Sequence, residues 1–170
     1  MNTRQESRWE HKGPPRIPRP AILIVAMQAN HATSDGPFVV QRLGQRRAKE
    51  GAYAWRSLLD AKAVVINGTD VPVEKIDPIA CFFSSVTRRM SGGAEFFPEQ
   101  AMTREEALRS YTSSAALAAF EEKDKGSIST GKLADLVVLS RDLLAVPVDR
   151  IIDTRVLYTI VGGKVVYQGQ

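Results

Sequence analysis

Val64-Val65-Ile66-Asn67-Gly68-Thr69-Asp70-Val71-Pro72-Val73 opens as a short apolar run rich in β-branched residues. Such a run, bounded by turn residues, predicts a buried strand over 64–67. A strand buried on both faces belongs in a parallel sheet covered by helices. The run stops at Asn67-Gly68, and Pro72 keeps the chain from continuing as a central strand. Asp70 therefore stands just beyond the end of a rigid element. In α/β folds that edge carries ligands and catalytic groups. Asp and Thr after a strand also serve as turn hydrogen-bonders, and this stretch alone leaves both roles open.

A second run, Ala21 to Gln28 (AILIVAMQ), is short and nearly all apolar, and predicts another buried strand. It ends in Ala29-Asn30-His31-Ala32-Thr33-Ser34-Asp35-Gly36-Pro37, read as a polar loop. Between the two runs, Ala48, Ala52, Trp55, Leu58 and Leu59 recur at helical spacing, which predicts one helix over 46–61. Strand, loop, helix and strand make a βαβ unit, so the two strands should be parallel. His31 and Asp70 then emerge beyond the same sheet edge.

Asp77-Pro78 predicts a helix start, with Asp as N-cap and Pro in the first turn. Ile79, Phe82, Phe83 and Val86 give that helix an apolar face, and Arg88 and Arg89 suit its C-terminal dipole. Cys81 falls in the same apolar pattern and reads as a buried, inert thiol. Thr103-Arg104-Glu105-Glu106 is a capping-box signature opening a helix predicted to run to about Phe120. The period then becomes extended. Leu136–Leu139 reads as a strand, and Val156–Val161 and Lys164–Tyr167 flank Gly162-Gly163 as a hairpin.

The chain has 170 residues, enough for one domain with a core. No apolar run approaches the ~20 residues of a membrane span, and no signal peptide is evident. One cysteine excludes an internal disulfide and suits the cytoplasm. Of the net charge of +4, most lies in the first twenty residues, a proline-rich basic arm expected to be disordered. No aromatic-interleaved basic patch follows it, so nucleic acid is not an expected partner.

HATSDGPFVVQRLG (31–44), GAYAWRSLLDA (51–61), GTDVPVE (68–74), MTREEALRSYT (102–112) and KGSISTGKLADLVVLS (125–140) resemble the C-terminal part of metal-dependent amidohydrolases, and among these amidohydrolase family 3. The resemblance runs from about Ile17 to the C-terminus. It implies an α/β fold: the C-terminal fragment of a TIM (β/α)₈ barrel, strands seven and eight, followed by part of a small β-sandwich. The implied divisions are a disordered arm at 1–20, a partial barrel at 21–122 and the C-terminal β segment at 123–170. The resemblance makes Asp70 a ligand of a divalent metal, usually zinc, and the proton shuttle of the attacking water. It places His31 against a small-molecule amide substrate. The reaction implied is hydrolysis of a non-peptide carbon–nitrogen bond.

The family's paired histidines after strand one, and those after strands five and six, have no counterpart here, and His11 in the arm does not replace them. The expectation is therefore a truncated chain, inactive alone and prone to associate through exposed apolar edges. A non-catalytic remnant, or a binding partner of a complete homologue, is the alternative. Ile17-Pro18-Arg19-Pro20 stands where the family has a helix, Ala29 where a proline is usual, and Lys62 where a glycine is common.

Overall fold

A computed structural model describes residues 22–169; the basic arm lies outside the described residues. β1 (Ile24–Gln28) and β2 (Val64–Gly68) pair in parallel, with Ile24 opposite Val64 and Gln28 opposite Gly68. The sheet has these two strands only, among the described residues. Their parallel course follows from the helical crossover, as expected from the apolar pattern.

The crossover is more broken than its periodicity predicts. The stretch read as a polar loop is mostly helical: α1 (Ala29–Ser34) follows β1 directly, and α2 (Gly36–Leu43) follows α1. Ala29 and Ala32 are fully buried, and α1 packs on the later helix α5 (Pro78–Thr87). Small apolar side chains three residues apart let that turn sit flat on a neighbour, which the polar composition of the stretch conceals.

The helix expected over 46–61 is two helices, α3 (Gln45–Gly51) and α4 (Trp55–Asp60). Between them Tyr53 takes φ +54°. The apolar positions still face the core, since Ala48, Ala52 and Trp55 are all buried. Lys62 has φ +65°, a left-handed conformation that costs a non-glycine residue roughly 1 kcal/mol.

α5 starts as its sequence predicts. The Asp77 carboxylate accepts hydrogen bonds from the amides of Ile79 and Ala80, both at 3.0 Å. Cys81 and Phe82 are buried in the core with Trp55, Val65 and Phe96. Arg88 departs from expectation. It closes α5 with φ +52°, but its side chain is fully buried instead of lying at the surface near the helix dipole. Its Nε donates to the Phe96 carbonyl at 2.6 Å and its Nη1 to the Tyr53 carbonyl at 3.0 Å. The guanidinium carbon lies 4.6 Å from the Trp55 ring centre. Arg89 does stay near the surface, pairing with Asp149 at 2.6 Å.

The capping box forms in full. Thr103 Oγ1 accepts from the Glu106 amide at 3.2 Å, and Glu106 Oε2 accepts from the Thr103 amide at 2.8 Å. The helix it opens is shorter than expected: α6 (Arg104–Tyr111) and α7 (Ser113–Ala118) are separated at Thr112, with φ −125° and ψ −95°. The Thr112 hydroxyl donates to the Leu108 carbonyl at 2.8 Å, a local bond that competes with regular helix.

Glu106 also meets Arg56 of α4 through both terminal guanidinium nitrogens, Nη1 and Nη2. The Arg56 hydrogen bond holds the Glu106 carboxyl down, from its ordinary 4.5 to about 2. A carboxyl depressed on folding adds stability above its unfolded pKa and loses it as pH falls through the folded one. The contribution is therefore complete above about pH 4.5 and fades towards about pH 2. Urea unfolding at about pH 6 and about pH 3 should show the parent losing roughly 1 kcal/mol more than Glu106→Gln, after allowance for partial exposure. Equal losses would remove this role.

The C-terminal strands β3 (Leu136–Leu139), β4 (Val156–Val161) and β5 (Lys164–Gln168) form an antiparallel sheet in that order. Gly162 and Gly163 have φ +55° and +77°, the doubly positive turn that a two-residue hairpin requires.

Candidate functional site

β1 and β2 end side by side, so whatever follows them is presented at one edge. After β1 the chain turns at once into α1, which carries His31. After β2 it makes a single tight turn: the Asp70 carbonyl accepts from the amides of Val73 at 2.8 Å and Glu74 at 3.2 Å. Asp70 itself has φ +57°. A non-glycine residue in that region persists only where surrounding bonds hold it, and such residues cluster at functional sites.

The two predicted residues meet. His31 Nε2 lies 3.3 Å from Asp70 Oδ2, with the histidine side chain 24% exposed and the aspartate 42% exposed. The Nε2 atom is shielded from solvent yet not aligned for a hydrogen bond with any described residue. The pair is thus a close approach of two polar groups, one half-open to solvent.

α1 is pinned from below. Ser84 Oγ of α5 donates to Asn30 Oδ1 at 3.0 Å and lies 3.3 Å from Thr33 Oγ1. Asn67, at the end of β2, turns away from the edge: its Nδ2 donates to Ser110 Oγ of α6 at 3.0 Å. Gly36 packs so closely that a Cβ there would lie 2.5 Å from Met90 Sδ, which accounts for the glycine in the 31–44 motif.

Four further residues border the pair that the sequence pattern does not single out. The Tyr53 hydroxyl donates to Asp35 Oδ2, and the Asp35 amide donates to the His31 carbonyl at 2.9 Å. Burial, then the Asp35 carboxylate, pushes the Tyr53 phenol well above its usual range. Ser34 Oγ donates to Glu74 Oε1 at 2.6 Å. Ser34, Asp35 and Glu74 all fall within the quoted motifs 31–44 and 68–74, the one signal that could have found them; Tyr53 lies in 51–61. Cys81 is fully buried, and burial pushes its thiol up, as suits an inert core residue.

Carboxylate oxygen and imidazole nitrogen are donors that zinc and similar divalent metals accept, so the pair fits a metal in kind. It does not suffice in number. Among the described residues no group of three or more His, Cys, Asp or Glu could hold a metal ion. A groove of about 710 Å³ lies elsewhere, between α6–α7 and β3, and is lined mainly by apolar groups including Leu108, Ala115 and Leu136.

A family model described as the amidohydrolase family matches residues 18–167. The chain is 32% identical over 157 residues to a putative amidohydrolase, YtcJ, of Bacillus subtilis, covering 89% of this chain and 30% of that protein. It is 36% identical over 125 residues to N-substituted formamide deformylase of Arthrobacter pascens, covering 74% and 23%. The solved structure of an uncharacterized metal-dependent hydrolase from Pyrococcus furiosus matches at 30% identity and a TM-score of 0.60, over 71% of this chain and 24% of that one. An amidohydrolase from Thermotoga maritima shares the fold at 18% identity and a TM-score of 0.55, over 86% and 37%. The chain thus spans about a quarter to a third of the length of these relatives. Its α/β framework and the motifs that carry the edge pair are those of amidohydrolase family 3, to which this chain belongs.

Proposed function

We propose that this chain is the C-terminal portion of a cytoplasmic hydrolase that cleaves a non-peptide amide bond. In this reading β1 and β2 are strands seven and eight of a (β/α)₈ barrel within residues 21–122. The segment 123–170 supplies strands of a small sandwich. The observation that carries the reading is the meeting of His31 and Asp70, 3.3 Å apart, at the carboxyl edge of a parallel strand pair.

A divalent metal, zinc in this reading, would be held by Asp70 together with ligands from outside this chain, and when bound lowers the pKa of water and polarises the scissile carbonyl. Asp70 accepts a proton from the attacking water and returns it to the amine nitrogen as the carbon–nitrogen bond breaks. Its half-open carboxylate suits that exchange. His31, beside it and a quarter exposed, faces the substrate amide. No helix among the described residues is long and apolar enough to cross a membrane.

The test compares the 170-residue chain with the same chain joined to the N-terminal portion of a relative. Metal content is measured by elemental analysis beside N-acyl-amine hydrolysis. The chain alone is expected to hold no stoichiometric zinc and to show no turnover, because one carboxylate and a neighbouring imidazole fall short of the roughly three protein ligands a catalytic zinc needs. It is also expected to associate, since Ile22, Val73, Val165 and Val166 are exposed. Joining should restore metal and activity. One-to-one zinc with turnover in the isolated chain would overturn the reading.

A further inference from the structure

The two turns that carry His31 and Asp70 have the same construction. The amide four residues on returns to each site carbonyl: Asp35 to His31 at 2.9 Å, and Glu74 to Asp70 at 3.2 Å. At the far end of each turn a side chain reaches across, Ser34 Oγ donating to Glu74 Oε1 at 2.6 Å. We infer that Ser34 and Glu74 form a clasp that aligns Asp70 with His31, acting as positioning residues for the reaction.

The inference rests on the site reading above and deepens it. Asp70 sits in a left-handed conformation whose cost must be met by bonds around it. Its turn has two backbone bonds of its own and this side-chain tie to the neighbouring helix α1. A hydroxyl donating to a carboxylate is a charge-assisted bond, stronger than one between neutral groups. With the tie made, Asp70 Oδ2 stays 3.3 Å from His31 Nε2, an atom shielded from solvent. With it broken, the Asp70 turn is free to swing away, and displacement of a catalytic group by about 1 Å is enough to slow chemistry severely.

The clasp is read without any need for turnover. Diethyl pyrocarbonate modifies exposed imidazole nitrogens, and peptide mass spectrometry separates His31 from His11, the chain's other histidine, which serves as reference. Ser34→Ala and Glu74→Ala are each expected to raise the His31 rate roughly fivefold, as an opening equilibrium responds to one lost bond. The double variant should react no faster than either single one. Glu74→Gln should fall between the parent and the alanine variants, because its side-chain oxygen still accepts from Ser34 but without the charge. Glu105→Ala, which breaks an exposed ion pair within α6, should change nothing. In the joined enzyme the two alanine variants should lower kcat roughly tenfold while KM moves little.

Additive effects in the double variant would overturn the clasp, as would an unchanged His31 rate. A Gln variant that behaves like Ala would also overturn it, since the charge of Glu74 would then matter instead of its bond. Failure of the site reading looks different. Turnover that survives Asp70→Asn would remove that reading and leave the modification rates as they are.

Discussion

Asp70→Asn in the joined enzyme is expected to abolish hydrolysis, by roughly 10³-fold or more, the range lost with a general acid–base group. The side chain keeps its size and one oxygen, so the turn and its φ of +57° should persist. What it loses is the ability to carry out the proposed step, taking a proton from water and returning it to a departing amine. It also becomes a weaker metal ligand, so kcat and metal content should fall together. The control is His31→Ala, which in the proposed site removes the group facing substrate and should chiefly raise KM. Hydrolysis rates for both variants, with metal content by elemental analysis, separate the roles. An Asp70→Asn enzyme that turns over at the parent rate would end the assignment of Asp70.

Arg88→Ala is expected to cost about 3 kcal/mol or more of folding stability, well above the loss expected for Glu106→Gln. Two effects oppose one another at this residue. Burial without a carboxylate partner penalises the charge and pushes the guanidinium down to about 10. Against that stand two hydrogen bonds to backbone carbonyls and stacking on Trp55 and Phe96. Alanine removes all of the second set. It leaves the carbonyls of Phe96 and Tyr53 without these partners and opens a cavity in the core. Arg88→Met removes the same charge but keeps most of the volume, so it should recover a large part of the loss. Arg88→Lys should fare little better than alanine, because a compact, strongly hydrated ammonium lacks the planar guanidinium that spans the Phe96 and Tyr53 carbonyls and stacks on Trp55. Urea unfolding at several protein concentrations separates folding from association. An alanine variant as stable as the parent would show that the desolvation cost outweighs the bonds.

Arg88 also shows why the helices are harder to place than the strands. Tyr53 breaks the expected 46–61 helix because Arg88, from a later helix, holds its carbonyl, while its hydroxyl reaches back to Asp35. Neither partner is near it in sequence, so no local period records the break. The α6–α7 interruption at Thr112 is partly local, through the Leu108 carbonyl, but a single threonine in an alanine-rich helix is a weak signal. His31 stands at the expected edge but on a helix and not in a loop, because buried Ala29 and Ala32 are too small to mark a helical face by hydrophobicity.

Sequence alone was enough for the elements that are specified by neighbours along the chain. The apolar runs of β1 and β2, the Asp77 cap, the Thr103–Glu106 box and the Gly162-Gly163 turn each need only residues a few positions apart, and each formed. The common edge of His31 and Asp70 followed from them, because a helical crossover between two neighbouring strands leaves them parallel, although β1 has no fully buried residue and β2 only Val65. Tertiary structure decided what depends on partners distant in sequence: the burial of Arg88, the break at Tyr53, the left-handed Asp70 and the bond between Ser34 and Glu74. Those features arise when separate segments compete for the same buried hydrogen-bonding groups, and that competition is settled only once the chain has folded.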